Sequence, residues 1–224
     1  MADSMRATHL AEASFASLCR ESDMYHVLQR CAILVSRMAL TMPPPMFHDM
    51  VRATASWPDL CRRLISTSAT LSHARSRKLV ALGLAHMLRH ASAQDTGLLS
   101  AVPDMIGMWT EVVGEVVEDE AGSADRYERE LSPTRALEIG EDGIPFLDEF
   151  GLIEAAPTPS SARTDAVRSR DPSFNVPLRA YVADTLNAVL QNGSYKTQLQ
   201  SLLATIDPLV LDTLQRGLSE RPVA

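Results

Sequence analysis

Glycine is scarce in this chain, ten residues in 224, and aromatic side chains make up only 5%. No segment alternates apolar and polar residues long enough to read as a half-buried strand, which argues against sandwiches and barrels. Long apolar runs are missing too: none approaches the roughly 20 residues that span a bilayer, so membrane insertion is not expected. The amino-terminal "MADSMRATHLAEAS" lacks the charged-then-apolar layout of a signal peptide. Cysteines are few, and Cys19, Cys31 and Cys61 show no CxxC spacing. An odd set without that spacing reads as reduced thiols filling core positions in cytosol or nucleus, not as a disulfide framework.

Catalytic signatures are equally thin. There is no GxSxG elbow to place a serine nucleophile, and no GxxxxGK[ST] or GxGxxG to cradle a phosphate. His86 and His90 stand four apart, a helical spacing that can chelate zinc, but no Glu follows His86 and no third ligand is evident. They read as solvated or partly packed histidines. No enzyme activity and no cofactor are expected.

What the chain does have is Leu, Ala, Met and Arg, all good helix formers, and 46% apolar residues, an ordinary globular share. Apolar residues recur at helical spacing in segment after segment. A first helix is expected over Arg6 to Cys19. A second starts at an Asp23 cap, with Tyr25, Leu28, Cys31, Leu34, Val35 and Met38 as its stripe, and "MPPP" stops it. A third buries Met46, Phe47, Met50 and Val51, and "WPDLCRRLISTS" gives a short fourth with Pro58 in its first turn.

"LSHARSRKLVALGLAHMLRH" is expected to be a long helix capped at Ser72, with Leu79, Leu82, Leu84, Ala85 and Leu88 inward. Its basic first turn, Arg75, Arg77 and Lys78, faces water on the plainest reading. The alternatives are pairing with an acidic neighbour or with the acidic loop of this chain, and a nuclear localisation signal, which a place at the head of a buried helix weakens. "LLSAVPDMIGMWTEVVGEVVEDE" supplies a sixth helix, burying Met105, Met108, Trp109, Val112, Val113 and Val116. Antiparallel helix pairs recurring at about forty residues suggest HEAT-type units, so the expected fold is an all-α helical-repeat solenoid.

Charge is distributed unevenly. From Glu111 to Glu154 there are 14 acidic and 3 basic residues, a net of −11, while the remainder carries 14 acidic and 18 basic, a net of +4. Direct nucleic-acid binding is therefore not expected. Residues 119–170, rich in Asp, Glu, Ser, Pro and Gly, bury too little to offset an ordering cost of about 1–2 kcal/mol per residue. They read as an acidic, largely flexible insertion between stacked helix pairs (1–118) and a closing group of helices (171–224). Its carboxylates, with Glu118, Asp119, Glu120, Glu128, Glu130, Glu141, Asp142, Asp148 and Glu149 foremost, are candidates for holding a basic partner.

After the insertion, Asp171–Pro172 and Pro177 read as an extended lead-in to a helix with Leu178, Tyr181, Val182, Thr185, Leu186 and Val189 on one face, closed by "NGS". "YKTQLQSLLATI" and "DPLVLDTLQRGL" follow, the last capped by Asp207 with Pro208 at its first position.

Two of these stretches carry a resemblance. "SHARSRKLVALGLAHML" resembles a helix in the carboxy-terminal repeats of importin-β-type nuclear transport receptors, where a basic turn precedes K-L-x-A-L-G-L. "RDPSFNVPLRAYVADTL" with "SLLATIDPLVLDTLQRGL" is similar to the extreme end of the importin-eleven group, matching at Asp171, Pro172, Leu178, Tyr181 and Val182, then Asp207, Pro208 and Leu214. The resemblance implies a non-enzymatic karyopherin region that carries protein cargo through nuclear pores with Ran in its GTP form and nucleoporins as partners. It would occupy cytoplasm, nucleus and nuclear envelope. Members of that family are several times longer, and the repeats making the main Ran contact have no counterpart here, so a carboxy-terminal, cargo-side portion is implied. The competing reading is a generic helical-repeat scaffold or regulatory subunit unrelated to transport.

Overall fold

The computed structural model describes residues 25–92, 94–122 and 171–219, with Ala13 alone before them. The helix expected over Arg6 to Cys19, the cap at Asp23 and residues 123–170 lie outside the described residues. The chain divides into two compact units, Met1–Val116 with Pro172–Glu220 and Val117–Asp171 with Arg221–Ala224, and the described core belongs to the first. Every regular element among the described residues is helical: α1 (Tyr25–Thr41), α2 (Pro44–Thr54), α3 (Trp57–Ser68), α4 (Ala74–Arg89), α5 (Thr96–Leu99), α6 (Val102–Gly122), α7 (Pro172–Asn175), α8 (Leu178–Gln191), α9 (Gly193–Leu203) and α10 (Pro208–Ser219).

Local chemistry sets most boundaries. The proline run ends α1 and starts α2 with the same residues: Pro43 is the N-cap and Pro44 and Pro45 begin the helix, where a missing N–H costs nothing. At α3 the Ser56 hydroxyl accepts from the Asp59 N–H at 3.3 Å, and Pro58 occupies the first turn. Asp207 accepts from the Leu209 N–H at 2.8 Å and Pro208 opens α10, as the sequence suggests.

Packing then arranges the helices around α4. Lys78 through Ala85, Met87 and Leu88 are all buried, because α4 packs on α1, α3, α7 and α8. Each fully buried leucine there contributes about 1.5–3 kcal/mol relative to exposure. α1 and α8 each meet α4, while α3 packs on α1, and α9 and α10 pack on α8. α6 reaches α4 through Trp109, whose indole N–H donates to the Ala81 carbonyl at 3.1 Å, and α10 approaches α6 at Val113 and Gly217. Helix pairs stacked so that each covers its neighbour's apolar flank make an all-α, HEAT-like solenoid.

Several expectations shift by a residue or a turn. The buried stripe of α1 is Leu28, Ala32, Val35, Ser36 and Ala39, while Tyr25 is 65% exposed. The reason is a close helix crossing: a Cβ on Gly83 of α4 would stand 2.9 Å from the Ser36 Cβ, so small side chains face the contact. α2 buries Phe47, His48 and Val51, leaving Met46 52% exposed. α4 is preceded by His73 as N-cap, without a side-chain cap, instead of Ser72. Its basic turn does not simply face water: Lys78 is buried, and Arg77 pairs with Glu111 at 3.0 Å and also with Glu115, both on α6. The sixth helix is split into α5 and α6, and its six expected core residues are all buried. The extended lead-in contains a turn of helix, α7, because Pro172 fits a first helical position and its carbonyl accepts from Val176. The "NGS" that closes α8 also opens α9 at Gly193.

Candidate functional site

Between α4 and α5 the turn Ser92–Asp95 carries a carboxylate that is wholly buried. The turn is local: the Asp95 N–H donates to the Ser92 carbonyl at 2.8 Å, and the Ser92 N–H and hydroxyl each donate to Asp95 Oδ2 at 2.8 Å. Tertiary packing supplies three more donors. His48 Nδ1 of α2 donates to Oδ2 at 2.9 Å, Arg52 of α2 to Oδ1 at 3.1 Å, and the Trp57 indole of α3 to Oδ1 at 2.9 Å. Burial alone would raise the Asp95 pKa, but the Ser92 N–H, His48 and the Ser92 hydroxyl outweigh it and hold the carboxyl at about 2. Asp95 is therefore ionised, and it ties α2 and α3 to the turn that leaves α4.

A second polar cluster sits at the end of α4 where α8 packs on it. His86 Nδ1 and the Tyr181 hydroxyl share a hydrogen bond of 2.5 Å, with their rings stacked 8° from parallel. Arg89 lies 5.5 Å from the centroid of the Tyr181 ring, and the His90 ring, tilted by 49°, has its centroid 4.4 Å from that of His86. Burial, then the charges of His90, His48 and Arg89, lower the His86 pKa to about 4, so its imidazole is neutral at neutral pH. His86 and His90 thus share a helix face, but the described residues contain no group of three His, Cys, Asp or Glu placed to hold a metal ion. The burial of Cys61 pushes its thiol up to about 12, an inert core filler, while Cys31 is half-buried and Cys19 lies outside the described residues.

Between these clusters opens a cavity of about 500 Å³, bounded by the first turn of α2, by His48 and Arg52, and by His90, Ser92 and Gln94. His48 is 3% exposed, and its Nε2 has no hydrogen-bond partner.

The motif positions fall into structural roles. Leu178 and Val182 are buried on the α8 face toward the core, Tyr181 makes the His86 contact, Pro172 opens α7, and Leu214 of α10 is buried. Asp171 stands just before α7. Of the acidic candidates, Glu118, Asp119 and Glu120 are on the last turns of α6, and Glu128, Glu130, Glu141, Asp142, Asp148 and Glu149 lie outside the described residues. Sequence reasoning missed the Asp95 cluster: its members span 48 positions, from His48 to Asp95, and no spacing rule joins them. The one available signal is Asp95 itself, an acidic residue in a "SAQDT" turn behind an apolar helix.

Helix pairs stacked around a buried core define a helical-repeat protein. The chain matches the family described as importin-11-like, TPR repeats, over residues 1–219, and it belongs to that family. TPR and HEAT units are both antiparallel helix pairs, which is the arrangement seen here. No curated protein and no solved structure matches the chain.

Proposed function

We propose that this chain is the cargo-side, carboxy-terminal part of a nuclear transport receptor, acting by binding protein and not by catalysis. The observation that carries the reading is the family match over residues 1–219, supported by the stacked helices of the first unit. Transport receptors of this kind exchange cargo between cytoplasm and nucleus, with Ran in its GTP form and nucleoporins as the remaining partners. In this reading residues 1–118 form stacked pairs, 119–170 an acidic insertion and 171–224 the capping helices. The candidate carboxylates from Glu118 to Glu149 attract basic cargo through many weak pairs, since surface ion pairs contribute only ~0–1 kcal/mol each.

The test is a pull-down with basic cargo-like proteins, using the full chain and a form lacking residues 118–154. Cargo retained by the full chain and lost by the shortened form at moderate salt supports the acidic insertion; identical retention removes it. A fluorescent fusion in cells completes the test. Accumulation at the nuclear envelope supports transport, and exclusion from nuclei and pores favours a scaffold instead.

A further inference from the structure

Among the described residues four serines stand three positions after an arginine: Ser66, Ser92, Ser173 and Ser219. That spacing matters because a large class of protein kinases reads an arginine there, through carboxylates that fit its guanidinium. Such kinases take their substrate extended. Ser66 and Ser219 belong to α3 and α10, and each donates its hydroxyl to the carbonyl of the arginine in question, so the chain there is coiled. Ser173 is buried in α7. Ser92 is different. It is exposed and lies outside helices, after α4 ends at Arg89 and before α5 begins at Thr96, and Arg89 and His90 are exposed with it. Asp95, three residues further on, is wholly buried, so the flank open to an enzyme is the one carrying arginine.

The same hydroxyl belongs to the Asp95 cluster. It donates to Asp95 Oδ2 at 2.8 Å, and it accepts from the Gln94 N–H at 3.3 Å and from Arg52 at 3.4 Å. A phosphoryl group on that oxygen removes the proton and brings a charge of about −1.5 to −2. Oδ2 then loses a donor and faces an anion across the same gap. Arg52, which donates to Asp95 at 3.1 Å, gains a stronger rival acceptor within reach. Asp95 keeps the Ser92 N–H, His48 and Trp57, and loses the two donors that answer to the phosphate. The tie that weakens is the one between α2, which carries Arg52, and the turn leaving α4.

We propose that Ser92 is a phosphorylation site for an arginine-directed serine kinase, and that the phosphate loosens α2 from the turn after α4. In the transfer the terminal P–O bond of ATP breaks and a bond forms from phosphorus to Ser92 Oγ. ADP leaves, and the hydroxyl proton passes to the catalytic base of the kinase. The site is independent of the transport reading.

The test incubates the full chain with the catalytic subunit of the cyclic-AMP-dependent kinase and magnesium ATP, and maps phosphate by mass spectrometry. Ser92 is expected to be modified in most chains, and Ser92→Ala to lose that modification. Arg89→Gln should slow it about tenfold, both in the chain and in a peptide of residues 86–96, which separates recognition from the packing of Arg89 on Tyr181. The phosphorylated chain should melt about 5 °C or more below a mock-treated one. Amide exchange should quicken in residues 44–54 and hold steady in 178–191. Ser92 left unmodified in the chain while the peptide is phosphorylated, a wild-type rate in Arg89→Gln, or a Tm that stays or rises would overturn the proposal.

Discussion

Gly83→Ala sets two effects of known size against each other. On helix propensity alone the change stabilises, by about 1 kcal/mol in a helix interior. The tertiary contact says otherwise. A Cβ at position 83 would stand 2.9 Å from Ser36 Cβ and 3.0 Å from Ser36 Cα, and the second of these is backbone that no rotamer change can move. To make room, α1 must retreat from α4, the helix at the centre of the core. Overpacking of this kind costs about 1–3 kcal/mol, and a backbone clash belongs near the upper end, so the net loss is about 1–2 kcal/mol. For a chain of this size that is a fall in Tm of roughly 2–8 °C. Urea unfolding followed by the fluorescence of the buried Trp57 and Trp109 measures it directly. Adding Ser36→Gly removes the nearer Cβ and should recover part of the loss, so the two changes are non-additive. A Gly83→Ala variant as stable as the parent, or more so, would refute the claim that α1 and α4 interlock at this point.

Asp95→Asn keeps the shape but removes the charge that His48, Arg52 and Trp57 converge on, and is expected to cost about 3 kcal/mol by thermal unfolding; a Tm within a degree of wild type would contradict the cluster's role. Because folding lowers the Asp95 pKa from 3.8 to about 2, its stabilisation is complete above pH ~4 and is lost as pH falls through 2. Trp57→Phe withdraws one donor from the same carboxylate and should cost about 1–2 kcal/mol. His86 should titrate by imidazole NMR with a midpoint of about 4, and a midpoint above 6 would refute its burial against Tyr181. Its folded pKa lies below the unfolded 6.5, so stability drops as pH falls from 6.5 toward 4, a slope that His86→Asn should flatten.

Much of the fold was legible residue by residue wherever the cause was local. Pro43, Pro44 and Pro45 announce both a stop and a start, Ser56 and Asp207 announce caps, and Met105 to Val116 display a periodicity that the core honours. Less legible was which side of a helix turns inward. On α1 the expected stripe was Tyr25, Leu28, Cys31, Leu34, Val35 and Met38; of these Leu28 and Val35 are buried, and the rest of the buried face is Ala32, Ser36 and Ala39. A hydrophobicity pattern rewards size, whereas the close crossing at Gly83 rewards smallness. Similarly, Arg75, Arg77 and Lys78 read as a solvated turn because their partners, Glu111 and Glu115 for Arg77, are 34 and 38 residues away.

From the order of residues alone come the helical class, the positions of most helix ends, the acidic stretch and the resemblance to the importin-eleven group. These depend on neighbours within one or two turns, where propensity, capping and proline stereochemistry act. Only the tertiary structure decided that His48, Arg52, Trp57 and Asp95 share one buried charge, that His86 meets Tyr181, and that a cavity opens between them. Those pairings join residues from 38 to 95 positions apart, and they exist because burying a carboxylate or an imidazole obliges the surrounding helices to supply its partners.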